Sequence, residues 1–92
     1  MSAAQVVVYS RPGCHLCEQA VAELAALHTE GYRFELHEVD IESEDLLLRR
    51  MLERIPVVEV DGALASELVL DRAAVIARLD TVGADDDPAA GR

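Results

Sequence analysis

The order of strand and helix patterns along this chain constrains its fold more than any other feature. Gln5–Tyr9 is a continuous apolar run rich in β-branched residues, which predicts a strand buried on both faces of a sheet. From Cys14, apolar residues recur at helical spacing until about Gly31. The alternation at the start of Tyr32–Ile41 then predicts a second strand.

The second half of the chain predicts a short helix, two strands and a final helix. Ser43 is the predicted N-cap of the short helix, and a strand follows at Ile55–Val60. Asp61 and Gly62 form the strongest hairpin signal in the chain, so the next segment is expected to pair back antiparallel. Asp71 is the predicted cap of the last helix. The inward face of that helix carries Val75, Ile76 and Leu79.

This order predicts the fold class and the domain organisation. Two strand–helix–strand crossovers place parallel strands side by side, and the hairpin adds an antiparallel edge. We therefore expect an α/β fold, a four-stranded mixed sheet with helices on its faces. The 92 residues suffice for one domain, predicted at residues 1–82. The acidic stretch 83–92 lacks an apolar period and is predicted to be a disordered tail.

Charge and composition limit the classes of partner. A formal charge of −10 argues against nucleic acid, which requires concentrated basic charge. The sequence shows neither a signal-peptide pattern nor an apolar run of membrane-spanning length. Two cysteines are too few for a disulfide-stapled secreted scaffold. We expect a cytoplasmic monomer whose cysteines stay mostly reduced and which has no membrane partner.

The two cysteines lie three positions apart where the first helix begins. Cys14 follows an Arg-Pro-Gly loop at the carboxyl end of the first strand, the edge where chemistry gathers on open α/β sheets. The unpaired amides and dipole of the helix favour a thiolate at Cys14, and Arg11 adds positive charge nearby. Cys17 lies one turn along the same helix, within disulfide reach. This arrangement indicates thiol–disulfide exchange, in which one thiolate attacks and a second thiol resolves the mixed disulfide.

Two other interpretations of the cysteine pair stay open. Cys17 on the apolar stripe fits a small buried hydrophobe, whereas Cys14 in its Pro-Gly loop does not. A structural zinc site usually needs two separated ligand pairs, and a second Cys-x-x-Cys is missing, so a metal or cluster site is the weaker alternative. His28 and His37 are predicted to be surface residues. Covalent haem would require a histidine directly after the second cysteine, where Glu18 stands.

Two further positions point to the same site. His15, directly after Cys14, is a candidate for stabilising the thiolate, and the alternative is an exposed residue of the first turn. Pro56 follows Ile55 at the start of the third strand, close to the amino end of the first helix in this architecture. A cis bond there would expose the Ile55 backbone to an incoming peptide or tripeptide.

The segments "VVVYSRPGCHLC", "YRFELHEVDI", "RIPVVEVDG" and "LDRAAVIARL" together resemble a glutaredoxin-like protein of the thioredoxin superfamily, of the short bacterial type. The match covers about Gln5 to Thr81. The resemblance implies a thioredoxin-like fold and a dithiol–disulfide oxidoreductase without a bound cofactor. It implies Cys14 as nucleophile, Cys17 as resolving thiol, Pro56 as the cis-proline, and Arg11 as a contact for a glutathione carboxylate.

The chain departs from the glutaredoxin pattern at two places that bear on its partners. His-Leu stands between the cysteines in place of Pro-Tyr, and "SELVLDR" replaces the usual Gly-Gly turn and acidic pair, leaving Asp71 at the expected cap. We therefore expect weak glutathione binding through Arg11, the Ile55 backbone and Asp71. The expected substrate is a disulfide-bearing protein or a small mixed disulfide, and the donor is glutathione or a reductase. A thioredoxin-fold binding module with little turnover is the alternative function.

Overall fold

The computed structural model of the protein describes residues 4–86. The strands are β1 (Ala4–Ser10), β2 (Phe34–Asp40), β3 (Val57–Val60) and β4 (Ala63–Glu67), and the helices are α1 (His15–Thr29), α2 (Asp45–Met51) and α3 (Arg72–Asp86). A single 3-10 turn, Ile41–Ser43, joins β2 to α2. The order of elements matches the predicted one. Within the described residues, none of the helices is long and apolar enough to cross a membrane.

The four strands form one mixed sheet in the order β2-β1-β3-β4, which confirms the predicted fold class. β1 and β2 are parallel, but β3 runs antiparallel to β1, so the prediction of a second parallel crossover was wrong. The seven residues of α2 span only about 10 Å, less than half the length of a seven-residue strand. β3 therefore begins at the end of the sheet where β2 ends, with Val57 opposite Tyr9. From there it runs antiparallel to β1.

The main core lies between one face of the sheet and the helices α1 and α3. Val6 and Val8 of β1 are fully buried there and pair across the sheet with Val60 and Val58 of β3. The helices contribute apolar side chains from successive turns, as the predicted inward face of α3 requires. These side chains are Leu24 and Leu27 of α1 and Val75 and Leu79 of α3, with Ile76 partly buried beside them.

A smaller apolar cluster forms around α2, toward the opposite face of the sheet. Met51 of α2 packs there with Ile41, Ile55 and Val57. Cys17 of α1 belongs to this cluster and not to the main core. Side chains from α1, α2 and the start of β3 therefore cover the end of the sheet that lies next to the cysteines.

The hairpin predicted at Asp61-Gly62 is confirmed. Both residues have positive φ angles, 50° and 85°, as the two central positions of a type I′ turn require. The Asp61 amide donates to the Gln5 carbonyl, and the Asp61 Oδ1 atom accepts from the Gln5 amide, both at 2.8 Å. The turn that joins β3 to β4 is thus itself bonded to the start of β1.

One of the two predicted helix caps is confirmed and the other is wrong. Asp71 caps α3, because its Oδ1 atom accepts from the Ala74 amide at 3.1 Å. Ser43 does not cap α2, since the N-cap position is occupied by Glu44 without a side-chain hydrogen bond. The Ser43 hydroxyl instead donates to the Asp40 carbonyl at 2.7 Å, because the chain makes a 3-10 turn before α2 begins.

The domain boundary predicted at residue 82 stays a prediction. Helix α3 continues through Asp86, so the first four residues assigned to the tail are helical here. The remaining part of the predicted tail, residues 87–92, lies outside the described residues.

Candidate redox site

A disulfide joins Cys14 and Cys17 at the amino end of α1. Their Cα atoms are 5.2 Å apart, as the three-residue spacing across the helix start allows. Cys14 is the N-cap of α1, and its Sγ atom accepts a hydrogen bond from the Cys17 amide at 3.2 Å. A sulfur atom therefore occupies the position where a helix start normally holds a capping oxygen.

The loop before Cys14 is a tight turn that fixes the cysteine at the helix entrance. The Cys14 amide donates to the Arg11 carbonyl at 3.2 Å. Pro12 and Gly13 occupy the central positions, and Gly13 has a φ of 79°, a combination typical of a type II turn. A side chain at Gly13 would strain this conformation, so the Pro-Gly pair is a requirement of the turn.

The two sulfur-bearing residues differ in accessibility. Cys17 is 2% exposed and packs within the smaller apolar cluster, whereas Cys14 is only partly buried at its margin. A disulfide or thiol partner from solution can therefore approach the Cys14 sulfur more directly. The geometry suits an outer reacting sulfur and an inner one that reacts only with its neighbour.

The cis-proline turn lies against the same cluster. The Ile55–Pro56 peptide bond is cis, Pro56 is fully buried, and Ile55 packs with Cys17 and Met51. Cys14 contacts this cluster from outside. The structure thus brings together the cysteine pair and the two residues of the turn that the sequence assigned to the site.

Arg11 lies beside the cysteine loop but is engaged with a carboxylate. Its Nε and Nη2 atoms lie 3.0 and 2.7 Å from Glu42 Oε2, and both side chains are partly exposed. The Arg11–Glu42 pair links the cysteine loop to the turn that follows β2. A contact of Arg11 with a glutathione carboxylate stays a prediction, and it would compete with this pair.

His15 points into solvent. Its side chain is 88% exposed, and its Nδ1 atom lies 4.0 Å from Glu18 Oε1 on the next turn of α1. Sequence reasoning did not identify Glu18 as a neighbour of His15, although the spacing of three positions on a helix is the signal for such a pair. A role of His15 in stabilising a Cys14 thiolate stays a prediction.

The other two histidines make contacts away from the cysteine pair. The ring of His28 meets Phe34 edge-on with centroids 4.0 Å apart, and His37 Nε2 lies 2.7 Å from Gln5 Oε1. Within the part of the chain that the structure describes, no three His, Cys, Asp or Glu side chains are placed to hold a metal ion.

Asp71 lies at the start of α3, and its carboxylate already accepts the Ala74 amide. The loop before it contains Leu68, a non-glycine residue with a φ of 63°. Sequence reasoning noted that this loop lacks glycine but missed that a leucine adopts the left-handed conformation. The composition gives no signal for it, since leucine rarely occupies this region.

A cleft of about 360 Å³ opens beside the cysteine loop, on the side of β1 and β2. Its lining is mostly polar: Ser10, Arg11, Pro12, Gly13, Glu18, Glu38 and Asp40. Two residues of the lining are joined by a long hydrogen bond, in which the hydroxyl of buried Ser10 donates to Glu38 Oε2 at 3.5 Å. Sequence reasoning missed the two acidic strand residues, which resemble ordinary surface positions until β1 and β2 pair.

A four-stranded mixed sheet with a Cys-x-x-Cys disulfide at the first helix and a buried cis-proline beside it defines a thioredoxin-like protein. The family model of the glutaredoxin-like domain (DUF836) matches residues 5–80. The chain belongs to this glutaredoxin-like family, which confirms the resemblance read from its sequence. No curated protein matches the chain.

Solved structures agree with this assignment. A protein from Nitrosomonas europaea, solved by solution NMR, is 32% identical with a TM-score of 0.72, covering 84% of this chain and 92% of that one. A protein from X. campestris is 29% identical with a TM-score of 0.67, covering 83% and 96%. A glutaredoxin from Brucella melitensis is 25% identical with a TM-score of 0.54, covering 100% and 96%. The Cys14–Cys17 disulfide on this fold is compatible with a redox function.

Proposed function

We propose that the protein is a dithiol–disulfide oxidoreductase that reduces protein disulfides or mixed disulfides through Cys14 and Cys17. The observation that carries this proposal is the asymmetry of the disulfide. Cys14 caps α1 at the margin of the apolar cluster, and Cys17 is buried one turn along the helix. An accessible sulfur at a helix start and an inner sulfur within bonding distance are the two groups that thiol–disulfide exchange requires.

The reaction proceeds in two exchanges starting from the reduced protein. The Cys14 thiolate attacks one sulfur of the substrate disulfide, which forms a mixed disulfide and releases the other substrate sulfur as a thiolate. Cys17, after losing its proton to solvent, then attacks Cys14 Sγ and releases the second substrate thiolate. Two electrons have moved to the substrate, and the Cys14–Cys17 disulfide seen in the structure is the product.

The start of α1 assists the first exchange through its backbone. The Cys17 amide, which donates to Cys14 Sγ in the disulfide, is placed to donate to a thiolate at the same atom. The helix dipole acts in the same direction, since it favours negative charge at the amino end. Both effects lower the pKa of the attacking thiol, so that more of it is ionised near neutral pH.

The oxidised pair must be reduced again by an external thiol donor. We propose glutathione or a dithiol supplied by a thioredoxin-type reductase, with no resident cofactor and with the cytoplasm as the compartment that sustains reduction. The ion pair between Arg11 and Glu42 favours the dithiol donor, because glutathione would have to compete with Glu42 for the guanidinium.

The experiment that tests this function has two arms. The oxidised protein is mixed separately with glutathione plus its reductase and with a thioredoxin-type reductase system, and reduction of Cys14–Cys17 is followed by thiol labelling. The reduced protein is then given a protein disulfide, and substrate thiols are counted over time. Catalytic turnover with either donor supports the proposal. A single stoichiometric exchange without turnover would favour the binding module instead.

A further inference from the structure

Tyr9 contacts the cluster that contains the inner cysteine but takes no part in the two exchanges described above. Its side chain packs against the smaller apolar cluster, to which Cys17 belongs and which Cys14 contacts from outside. Across the sheet, Tyr9 stands opposite Val57, a fully buried member of the same cluster. Tyr9 is therefore part of the packing that surrounds the inner cysteine.

The backbone that carries Tyr9 is held more firmly than the helix on the other side of the cluster. Strand β1 is hydrogen-bonded to β2 along one edge and to β3 along the other. Helix α2, which supplies Met51, Leu47 and Leu48, has only seven residues, and a helix this short depends on packing for its stability. Tyr9 thus forms a fixed side of the cluster.

The far end of the Tyr9 side chain is anchored as well. Its hydroxyl donates to Glu59 Oε1 at 3.3 Å. Glu59 stands opposite Val7, two residues before Tyr9, whereas the cysteine loop follows the end of β1, so the anchor lies on the side away from the cysteines. Burial and then the Glu59 carboxylate raise the Tyr9 pKa above its ordinary value, while the charge of Arg50 lowers it. The hydroxyl therefore keeps its proton, and with it the anchor, at neutral pH.

The second exchange depends on where the Cys17 sulfur lies once the disulfide is open. In the mixed disulfide with a substrate, no covalent bond joins Cys17 to Cys14. Rotation about the Cys17 Cα–Cβ bond has three staggered positions, of which the internal disulfide uses one. Because Cys17 is 2% exposed, the side chains packed around it decide how often that position is occupied. An intramolecular attack owes its rate to this kind of placement.

We propose that Tyr9, anchored by Glu59, is a positioning residue that holds the Cys17 sulfur against Cys14 for the second exchange. This inference rests on the proposed redox function and assigns two further residues to one of its steps. Tyr9 acts through Cys17, and Glu59 acts through Tyr9, so neither residue needs to contact the substrate. The first exchange, which uses only the Cys14 sulfur, should not depend on either of them.

The test follows both exchanges in one reaction. The reduced protein is mixed with one equivalent of a symmetric, chromogenic aryl disulfide. The Cys14 thiolate attacks one sulfur, forms the aryl mixed disulfide and releases the first aryl thiolate. Cys17 then loses its proton to solvent, attacks Cys14 Sγ, closes the internal disulfide and releases the second aryl thiolate. Two absorbance phases therefore report the two steps separately.

Four variants at the two positions should separate the ring from its anchor. Tyr9→Leu removes the ring and should slow the second phase about tenfold without changing the first. Tyr9→Phe and Glu59→Ala keep the ring but remove the hydrogen bond, and each should slow the second phase about threefold. Glu59→Gln retains an oxygen that accepts the hydroxyl and should behave like the original protein.

The reduction potential gives an equilibrium measure of the same effect. A tenfold lower effective concentration of Cys17 makes the internal disulfide easier to reduce. We therefore expect the potential of Tyr9→Leu to be about 30 mV less negative, as measured in buffers of reduced and oxidised glutathione. Should Tyr9→Leu fail to fold, Tyr9→Phe and Glu59→Ala, which keep the ring, carry the test alone.

The matched control is Tyr32→Leu. Tyr32 is the only other tyrosine, and it packs against the main core instead of the cysteine cluster. Its loss should lower the melting temperature and leave both phases and the potential unchanged. Equal slowing of the second phase in Tyr32→Leu and Tyr9→Leu would overturn the proposal, because general loss of stability would then account for it.

The same assay distinguishes failure of this inference from failure of the proposed function. If the original protein gives neither phase, the redox function fails. If it gives both phases, and Tyr9→Leu (or, if that does not fold, Tyr9→Phe and Glu59→Ala) changes neither the second phase nor the potential, only the positioning role of Tyr9 fails.

Discussion

The backbone amide of Cys17 donates a hydrogen bond to Cys14 Sγ across 3.2 Å, so one sulfur of the disulfide also caps the start of α1. Cys14 takes the capping position that serine or aspartate occupies in other helices. Breaking the disulfide leaves this amide free to donate to a thiolate at the same atom. We expect a thiolate at Cys14 in the reduced form to accept the same hydrogen bond from the helix that it caps.

The first prediction concerns the roles of the two cysteines. Cys14→Ser should lose disulfide reductase activity, because the accessible sulfur is the attacking group. Cys17→Ser should retain the first exchange and accumulate a mixed disulfide on Cys14, because the resolving thiol is gone. Mass spectrometry of the protein after one turnover locates the adduct. An adduct trapped on Cys17 in the Cys14→Ser variant would reverse the assignment.

The second prediction concerns His15 and its neighbour Glu18. If the imidazolium stabilises the thiolate, His15→Ala should raise the Cys14 pKa and make the reduction potential more negative. Each ~30 mV corresponds to about 1.4 kcal/mol for a two-electron couple, so a modest contact is measurable. Because the His15 side chain is 88% exposed, solvent and salt screen its charge. We therefore expect the reduction potential to shift by only a fraction of ~30 mV.

Glu18→Gln should shift the Cys14 pKa in the opposite direction from His15→Ala. It removes the carboxylate 4.0 Å from the imidazole and should lower the Cys14 pKa, since negative charge near the helix start opposes a thiolate. Ultraviolet absorbance of the thiolate measures both variants. If His15→Ala changes neither the pKa nor the potential, His15 is an ordinary exposed residue and the cysteine roles are unaffected.

The third prediction concerns the use of glutathione. Glu42→Gln should release Arg11 from its ion pair and make the guanidinium available to a carboxylate of glutathione. We expect a lower KM for a glutathione mixed disulfide, by about threefold to tenfold, with kcat little changed. Arg11→Gln should raise the same KM or leave it unchanged. A KM that does not respond to Glu42→Gln would remove Arg11 from the glutathione site.

The sequence predicted the fold where local signals and tertiary packing agree. The buried run of β1, the periodic stripe of α1 and the Asp61-Gly62 turn each specify one conformation, and all three are present. The direction of β3 was predicted wrongly because it depends on the distance that α2 spans. A pattern that predicts a helix does not fix where that helix ends.

The redox site was predictable to the extent that its residues are close in the chain. Cys14 and Cys17 belong to one motif, whereas Ile55 and Pro56 were placed near it from the expected architecture, and the family resemblance implied the cis bond. The ion pair of Arg11 with Glu42 was missed, since it joins two loops that meet only when β1 and β2 pair. The left-handed Leu68 was missed because leucine itself does not favour that conformation, and the hydrogen bond of its amide to the Arg54 carbonyl forms only when the loop meets the cis-proline turn.

The fourth prediction concerns Tyr9 and the stability of the protein in alkali. Burial raises the Tyr9 pKa above its ordinary value of about 10, and the nearby Glu59 carboxylate, which accepts the hydroxyl at 3.3 Å, raises it further. The native state therefore holds its proton to higher pH than the unfolded state. This contribution is complete below pH ~10 and is lost as the pH rises through the native pKa.

Tyr9→Phe removes this contribution, so its free energy of unfolding should fall less steeply above pH ~10 than that of the original protein. Urea titrations at neutral and alkaline pH measure the difference. Tyr32→Phe serves as the control, since it removes the only other tyrosine. Equal slopes in the Tyr9→Phe variant and the original protein would contradict the prediction.

The fifth prediction concerns Ser66, whose hydroxyl holds the loop between β4 and α3 in place. Ser66→Ala leaves the Asp71 amide without its acceptor and the Val69 carbonyl without its donor in a partly buried region. Loss of such partners costs about 1–3 kcal/mol, so the free energy of unfolding should fall by that amount in urea. Ser43→Ala is the matched control, because its hydroxyl makes an exposed bond to the Asp40 carbonyl and its loss should cost under about 0.5 kcal/mol. Equal losses in the two variants would show that the Ser66 bonds add nothing to the stability of the loop.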